Sequence, residues 1–368
     1  MLTYTFKIKV NSKQEKIFQE HLDTTRCIYN LAKETKEYAY SKGVRLRKFD
    51  LMNQLPELKN EVIWIKNINA RTLQTVIERL DRSYVRFFSE LKRGNKISEP
   101  KWAKKKTWKS VEFPQGNIKR LTPDLRFEKD GKFNLPKIGK IKIFKSREVN
   151  GNIKLARVIK KADGWYLSIV TDYEIQKCDN QAEVGIDLGI TQFAVTSDGQ
   201  YFENIRATEK YAKQLRIEQR SLSRKKRFSK NFYKQVEVIK KLYLKIQRTR
   251  EDYLHKVSRE LANNYQTVFL EDLKVSEMIQ NKLYSKSILD VSWYKFKTYL
   301  EYKTDVIKVD PKYTSQECNN CGHISKENRK TQANFKCVEC DHEGNADFEA
   351  SLIILKRGQS LVRANVEQ

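Results

Sequence analysis

The sequence predicts a multidomain α+β protein, and three of its features carry that prediction. It opens on a strand-like alternation, "LTYTFKIKV", and then switches to helical spacing over residues 12–92. Short runs punctuated by glycine and proline follow, which is how small antiparallel strands read. From about Gln181, strands alternate with helices, and a cysteine-rich insert fills residues 311–343.

Taken in order, residues 2–10 form the first expected strand. Ile17, Leu22, Ile28 and Leu31 then mark the apolar side of a helix that continues towards Tyr40. "LMNQLPELKN" breaks this run, and "NARTLQTVIERLDRSYVRFFSEL" resumes it with Leu73, Ile77, Leu80, Tyr84, Phe87 and Leu91 on one face. "LRFEKDGKFNLPKIGKIKIFK", "IKLARVIKKADG" and "WYLSIVTDYEI" read as strands of a small barrel or open sheet. The first strand fits that sheet, which makes the helical unit an insert in one β domain.

Beyond Gln181, "EVGIDLGI" and "TQFAVTSDG" read as two antiparallel strands. A basic helical stretch covers 205–264 and turns back on itself at "SLSRKKRFSKNF". Then come a strand "TVFLEDL", a helix "SWYKFKTYLEYK" and a strand "TDVIKVD". The closing helix, "NADFEASLIILKRG", has Phe348, Leu352 and Leu355 on its face, and the residues after Gly358 are expected to be loose.

Composition points to the class of partner. The 368 residues carry a formal net charge of +27, with 32% charged and 39% apolar residues. Such a surface repels itself unless it meets a polyanion. Nucleic acid is the first candidate, and an aromatic content of 11% suits stacking on bases. An anionic membrane is the weaker one. No apolar run reaches the roughly 18 residues of a membrane span, and "MLTYTFKIKVNSKQ" does not read as a signal peptide. The expectation is a protein that stays inside the cell and has no membrane partner.

Four of the six cysteines stand in two pairs, "CNNC" at Cys318 and Cys321 and "CVEC" at Cys337 and Cys340, with fifteen residues between them. Two such knuckles bring four thiolates to one tetrahedral ion, which predicts a single structural Zn²⁺ with a filled shell. His323 and His342 lie beside the knuckles and are expected outside that shell. Lys312, Lys326, Arg329, Lys330 and Lys336 surround the module, either offsetting its thiolates, contacting phosphate, or simply solvated. Cys27 and Cys178 stand alone and read as buried thiols.

Asp187 is a bare charge in the strand "EVGIDLGI", flanked by Gly185 and Gly189, and a buried carboxylate needs a partner. Glu271 or Asp272 at the end of "TVFLEDL", and Asp347 at the start of the last helix, can meet it at one sheet edge. Alternation admits only one of Glu271 and Asp272 and leaves the choice open, and Asp347 also reads as a helix cap. Three such acids would repel one another unless hard divalent cations hold them. Two ions about 4 Å apart can activate water and stabilise the leaving oxygen of a phosphodiester. Asp198 in "SDG" reads as a turn residue.

The stretches "GIDLGI", "FLEDL", "SWYKFKTYLEYK", "VDPKYTSQECNNCGH", "FKCVEC" and "NADFEASLIIL", in this order, resemble the TnpB family of insertion-sequence proteins, relatives of the miniature type V CRISPR effectors. The resemblance extends over nearly the whole chain. It implies a wedge β-barrel (1–11 and 93–178) with an inserted helical recognition unit (12–92). It also implies an RNase H-like, RuvC-type nuclease domain (179–310 and 344–358) with an inserted, target-binding zinc ribbon (311–343), and a flexible tail (359–368). Carried over by motif, the catalytic acids are Asp187, Glu271 and Asp347, holding two Mg²⁺ (or Mn²⁺) ions. The implied partners are a guide RNA and double-stranded target DNA, with one copy of the protein per RNA.

The implied activity is RNA-guided cleavage of DNA beside a short flanking motif, which helps a mobile element persist. The implied setting is the prokaryotic cytoplasm, at the nucleoid when acting on DNA. One position departs from the family pattern: Glu349 stands where an asparagine is usual, and adds charge near the proposed ions. It keeps open an alternative, a nuclease-inactive, RNA-guided DNA-binding repressor. A protein-linked transposase mechanism would instead need a tyrosine or serine nucleophile.

The segments expected to touch nucleic acid are the helix bearing Arg71, Arg79 and Arg82, the run Lys101, Trp102, Lys104, Lys105, Lys106 and Trp108, and the turn Arg224, Lys225, Lys226 and Arg227. A solvated basic face and tryptophans that simply pack are the competing readings.

Overall fold

A computed structural model describes residues 1–116, 124–280, 285–331 and 333–366. The chain divides into two units, Met1–Glu174 and Ile175–Gln368.

In the first unit, strand β1 (Leu2–Lys9) buries Tyr4, Phe6 and Ile8 by alternation. Helix α1 (Ser12–Ser41) starts under a capping box: Gln14 N–H donates to Asn11 Oδ1 at 2.8 Å, and Asn11 N–H donates to Gln14 Oε1 at 3.3 Å. The expected break at "LMNQLPELKN" is instead two short helices, α2 (Lys48–Asn53) and α3 (Leu55–Glu61). Pro56 lies in the first turn of α3, where a missing N–H costs no helix bond. Helix α4 (Ala70–Lys92) packs Leu73, Ile77 and Leu80 into one core with Phe18, Leu22 and Ile28 of α1 and with Phe113.

The strands β2 (Ser110–Pro114), β3 (Arg126–Phe127), β4 (Lys132–Leu135), β5 (Gly139–Ile143), β6 (Ile153–Lys161) and β7 (Gly164–Thr171) join β1 in one antiparallel sheet, ordered β2-β6-β7-β1-β5-β4-β3. The wedge β-barrel expected from the family resemblance is not formed. A barrel needs a ladder that returns to its first strand, but β2 and β3 lie at opposite ends of the order, with no ladder joining them among the described residues. The Gln115 side chain reaches towards β3, accepting from Leu125 N–H at 2.8 Å and donating to its carbonyl at 3.1 Å. The sheet is open.

The second unit is built on the strands β8 (Glu183–Asp187), β9 (Gln192–Thr196), β10 (Tyr201–Glu203), β11 (Thr267–Glu271) and β12 (Asp305–Val309), in the order β10-β9-β8-β11-β12. β8, β11 and β12 are parallel, while β9 runs antiparallel to β8. Short α5 (Ala207–Lys210) leads into the basic hairpin of α6 (Ala212–Ser223) and α7 (Lys230–Asn264), with its turn at 224–229. Three further helices, α8 (Val275–Met278), α9 (Ser285–Val291) and α10 (Trp293–Glu301), precede β12. One sheet face buries Val184, Ile186, Val268 and Leu270 under α7 and α10, which supply Leu254, Leu261, Phe296 and Leu300.

The opposite face takes α11 (Ala346–Val366), which follows the small hairpin β13 (Asn334–Lys336) and β14 (Glu343–Asn345). Gly185 lets this helix touch the sheet backbone: a Cβ there would stand 2.2 Å from the Ser351 carbonyl oxygen. α11 does not stop at Gly358 but continues to Val366, so residues 359–366 are helix rather than loose tail; 367–368 lie outside the described residues. Gly358 is tolerated because its missing side chain makes room for Phe269, whose ring a Cβ would approach to 2.1 Å. No described helix is long and apolar enough to cross a membrane.

Candidate active site

Strand register brings two of the acids level. Phe269 pairs with Gly185 and Leu270 with Ile186, so the next step places Glu271 beside Asp187. Alternation puts Gly185, Asp187, Phe269 and Glu271 on the α11 face. Asp272 is exposed on the other side and pairs with Lys297 at 3.2 Å. α11 contacts Gly185 at Ser351, and Asp347 lies one turn earlier, about 6 Å back along the helix. Asp187 lies two residues, about 6.6 Å, beyond Gly185 along the strand. The helix start and the two strand ends thus converge. Asp347 does not cap α11. That is done by Asn345, whose Oδ1 accepts from the Asp347 and Phe348 N–H groups at 3.0 and 3.1 Å.

The electrostatics register the convergence. Burial, and then the charges of Glu271 and Asp347, push the Asp187 carboxyl up to about 8. Glu271 is raised by burial, against the pull of Thr314, Arg357 and Arg329. The Thr314 hydroxyl donates to Glu271 Oε1, and Arg329 Nη2 donates to Asp347 Oδ1 at 2.9 Å. Each outer acid is therefore held by a neighbour. Among the described residues, the three carboxylates do not gather as tightly as the cysteines do.

All four thiol sulfurs, those of Cys318, Cys321, Cys337 and Cys340, lie within 4.8 Å of one another, with 3.7 Å between Cys318 and Cys340 and 3.6 Å between Cys321 and Cys337. These are close to the edges of a tetrahedron whose centre is about 2.3 Å from each sulfur, so the cluster can coordinate a metal ion. The two knuckles are built alike: Cys318 N–H donates to the His323 carbonyl and Cys337 N–H to the His342 carbonyl, both at 2.9 Å. The His342 backbone N–H, first of several donors, draws the Cys340 thiol down to about 6. Cys27, expected buried, is exposed, and Cys178 is half-buried.

Three families match the sequence, described as a probable transposase (residues 168–282), a Cas12f1-like TNB domain (293–354) and a helix-turn-helix domain (1–44). Over that last stretch the structure has β1 and one continuous helix. A TnpB-like protein of Methanocaldococcus jannaschii is 31% identical over 33% of this chain and 29% of its own. A putative RNA-guided DNA endonuclease of Escherichia coli, InsQ, is 31% identical over 98% of this chain and 92% of its own. The chain belongs to the TnpB family. In fold, this TnpB-family chain also resembles Cas12f1 from a Cas12f1–sgRNA–target DNA complex, with a TM-score of 0.58 at 15% identity over 94% of this chain and 83% of that one.

The residues expected at nucleic acid are placed unevenly in this TnpB-family chain. Arg71, Arg82, Lys101, Trp102, Lys104, Lys105, Lys106, Arg224, Lys226 and Arg227 are exposed, and Lys225 is half-buried. Trp108 is not available for stacking on bases. It is 7% exposed, donates to Thr25 Oγ1 at 3.0 Å, and carries the half-buried Arg79 guanidinium 4.0 Å above its ring. Its indole N–H finds an internal partner and its faces are filled, so core packing wins. Trp102 is 46% exposed, with Lys33 Nζ 4.5 Å from its ring centre.

Thr314 and Arg357 were not singled out by sequence reasoning. Thr314 lies in the quoted "YTSQ", which was the available signal. Arg357 of α11 ties down the approach to the cysteine module, donating to the Asp310 and Lys312 carbonyls at 3.0 and 2.7 Å.

Proposed function

We infer that this protein is an RNA-guided, divalent-metal-dependent DNA endonuclease. The observation that carries the reading is the approach of Asp187, Glu271 and Asp347 from two parallel strand ends and a helix start, close enough that the charges of Glu271 and Asp347 add to burial in raising Asp187 to about 8. Family membership and a net charge of +27 support a nucleic-acid load.

The donor set fits Mg²⁺: three hard carboxylates whose mutual repulsion a dication relieves. Asp187, Glu271 and Asp347 would hold the ions. Bound there, such ions supply an activated water and stabilise the departing 3′ oxygen of a DNA phosphodiester. Asp187 must give up its proton on binding them. Thr314 fixes one oxygen of Glu271, and Arg329 supplies positive charge beside the site. The four cysteines suit one structural Zn²⁺ in a target-binding ribbon. Guide pairing supplies sequence specificity, and the exposed basic segments hold backbone. Glu349 faces His342 rather than the acids, which favours the cutting reading over an inactive repressor. Action on DNA for a mobile element places the protein at the nucleoid of a prokaryotic cell.

The test purifies the protein with its co-expressed RNA, adds Mg²⁺ and supplies guide-matched targets with randomised flanks. Cleavage beside one short motif, lost in Asp187→Ala, is the expected result. Matched binding with no cleavage by the unmodified protein supports the repressor reading instead.

A further inference from the structure

Glu349 is the second acid in the first turn of α11, yet it leaves the helix on the side away from Asp347, since two residues turn an α-helix by about 200°. It is 4% exposed. Its Oε1 lies 2.9 Å from His342 Nε2, while its buried Oε2 has no partner among the described residues. The fit is tight: a Cβ on Gly344 would come to 2.4 Å from Oε1, so glycine in β14 is what lets the carboxylate lie there. His342 in turn closes the second cysteine knuckle through its backbone, its carbonyl accepting from Cys337 N–H at 2.9 Å and its N–H donating to Cys340 Sγ.

A buried carboxylate with one oxygen unpaired is costly, and its one bond among the described residues goes to the residue that shapes the knuckle. The cysteine module thus grips the first turn of α11 from both sides, through Arg329 on Asp347 and His342 on Glu349. We propose that Glu349 is a positioning residue for the carboxylate metal site: through His342 it locks α11 to the cysteine module and so fixes where Asp347 stands. The proposal rests on reading Asp347 as a ligand of the cleavage metal. It makes the occupied cysteine cluster and the divalent-ion site one mechanical unit, so loosening the bond weakens ion binding without touching an ion ligand.

The experiment uses the full chain with its RNA and compares wild type, Glu349→Ala, Glu349→Gln, His342→Ala, the Glu349→Ala/His342→Ala double variant and Asp347→Ala. Three readouts are taken: cleavage against Mg²⁺ concentration, metal content of the cysteine cluster, and hydrogen exchange of amides 346–350. Outer-shell partners of metal ligands are typically worth about 10–100-fold in metal affinity or activity.

Glu349→Ala is expected to raise the half-saturating Mg²⁺ concentration about tenfold, with the rate at saturating Mg²⁺ within about threefold of wild type and the cysteine metal retained. Exchange at 346–350 should quicken. Glu349→Gln, which keeps an acceptor for the ring N–H, should restore both to within about twofold, and the double variant should be no worse than either single one. An unchanged Mg²⁺ requirement in Glu349→Ala overturns the proposal, as does equal loss in Ala and Gln, or loss of the cysteine metal in both. Wild-type cleavage by Asp347→Ala would sink the underlying metal reading instead. A dead Asp347→Ala beside an unchanged Glu349→Ala sinks only the positioning role.

Discussion

Arg329 Nη2 donates to Asp347 Oδ1 at 2.9 Å, so the cysteine module places a cation on the acid that opens α11. The same guanidinium also draws down the carboxyls of Asp187 and Glu271. Arg329→Ala should therefore leave Asp187 harder to ionise. At pH 7 and limiting Mg²⁺, guide-matched cleavage should fall by about tenfold, the usual scale for losing a group that holds a metal ligand. The deficit should narrow towards pH 9, where Asp187 ionises without help. A pH–rate profile checks this, and a deficit that is the same at every pH contradicts it.

Asp187 also makes stability depend on pH in the metal-free protein. Its pKa is raised to about 8 in the folded state, against about 3.9 unfolded. Between those values the folded chain holds more protons than the unfolded one, so stability is full below about pH 4 and is lost as pH rises towards 8. Asp187→Asn removes this penalty. Without Mg²⁺ its melting temperature should exceed wild type by more at pH 8 than at pH 5, while cleavage is lost. Thermal melts at the two pH values decide it, and an equal difference at both would count against a buried, ionisable Asp187.

Gly185 is the point where α11 meets the strand. A Cβ there overlaps the Ser351 carbonyl at 2.2 Å and the Leu355 nitrogen at 2.5 Å, and backbone cannot swing aside as a flexible side chain does. Gly185→Val should destabilise by at least about 3 kcal/mol, the upper end of ordinary overpacking, and should displace Asp347. A denaturant midpoint close to wild type would show that the helix has slack.

The turn at 224–227 is a place where charge and core separate, since Arg224, Lys226 and Arg227 are exposed. Replacing all four basic residues with alanine should leave the melting temperature within about 2 °C. It should weaken RNA binding and flatten the plot of log affinity against log salt by about 0.7 for each lost single-strand phosphate contact. Filter binding across a salt series measures it, and an unchanged slope removes this turn from the interface.

Much of this was legible from periodicity. The lysine-edged first strand, the long α1, the hairpin of α6 and α7 and the paired knuckles each follow from a strong local signal. The choice of Glu271 over Asp272 did not. It depends on which sheet face α11 covers, and that is set by Gly185 and Gly358, two absences of side chain whose meaning appears only when the helix is seen against Phe269 and the β8 backbone. The barrel expected from resemblance failed because closure is a property of the last strand pair, which no strand shows in isolation. Trp108 read as a stacking residue from its lysine-rich neighbours, but the hydroxyl that captures its indole belongs to Thr25, eighty-three positions earlier. Glu349 looked like a disturbance to the metal site by sequence distance, and helix geometry turns it towards His342 instead.

The most direct measurement is a density map of the protein loaded with guide RNA and matched DNA in Mn²⁺, with anomalous signal used to locate the ions. The expected map has Mn²⁺ peaks held among Asp187, Glu271 and Asp347. A map with target strand in place, Asp187 turned away and no ion shared among the three acids would contradict the cutting mechanism.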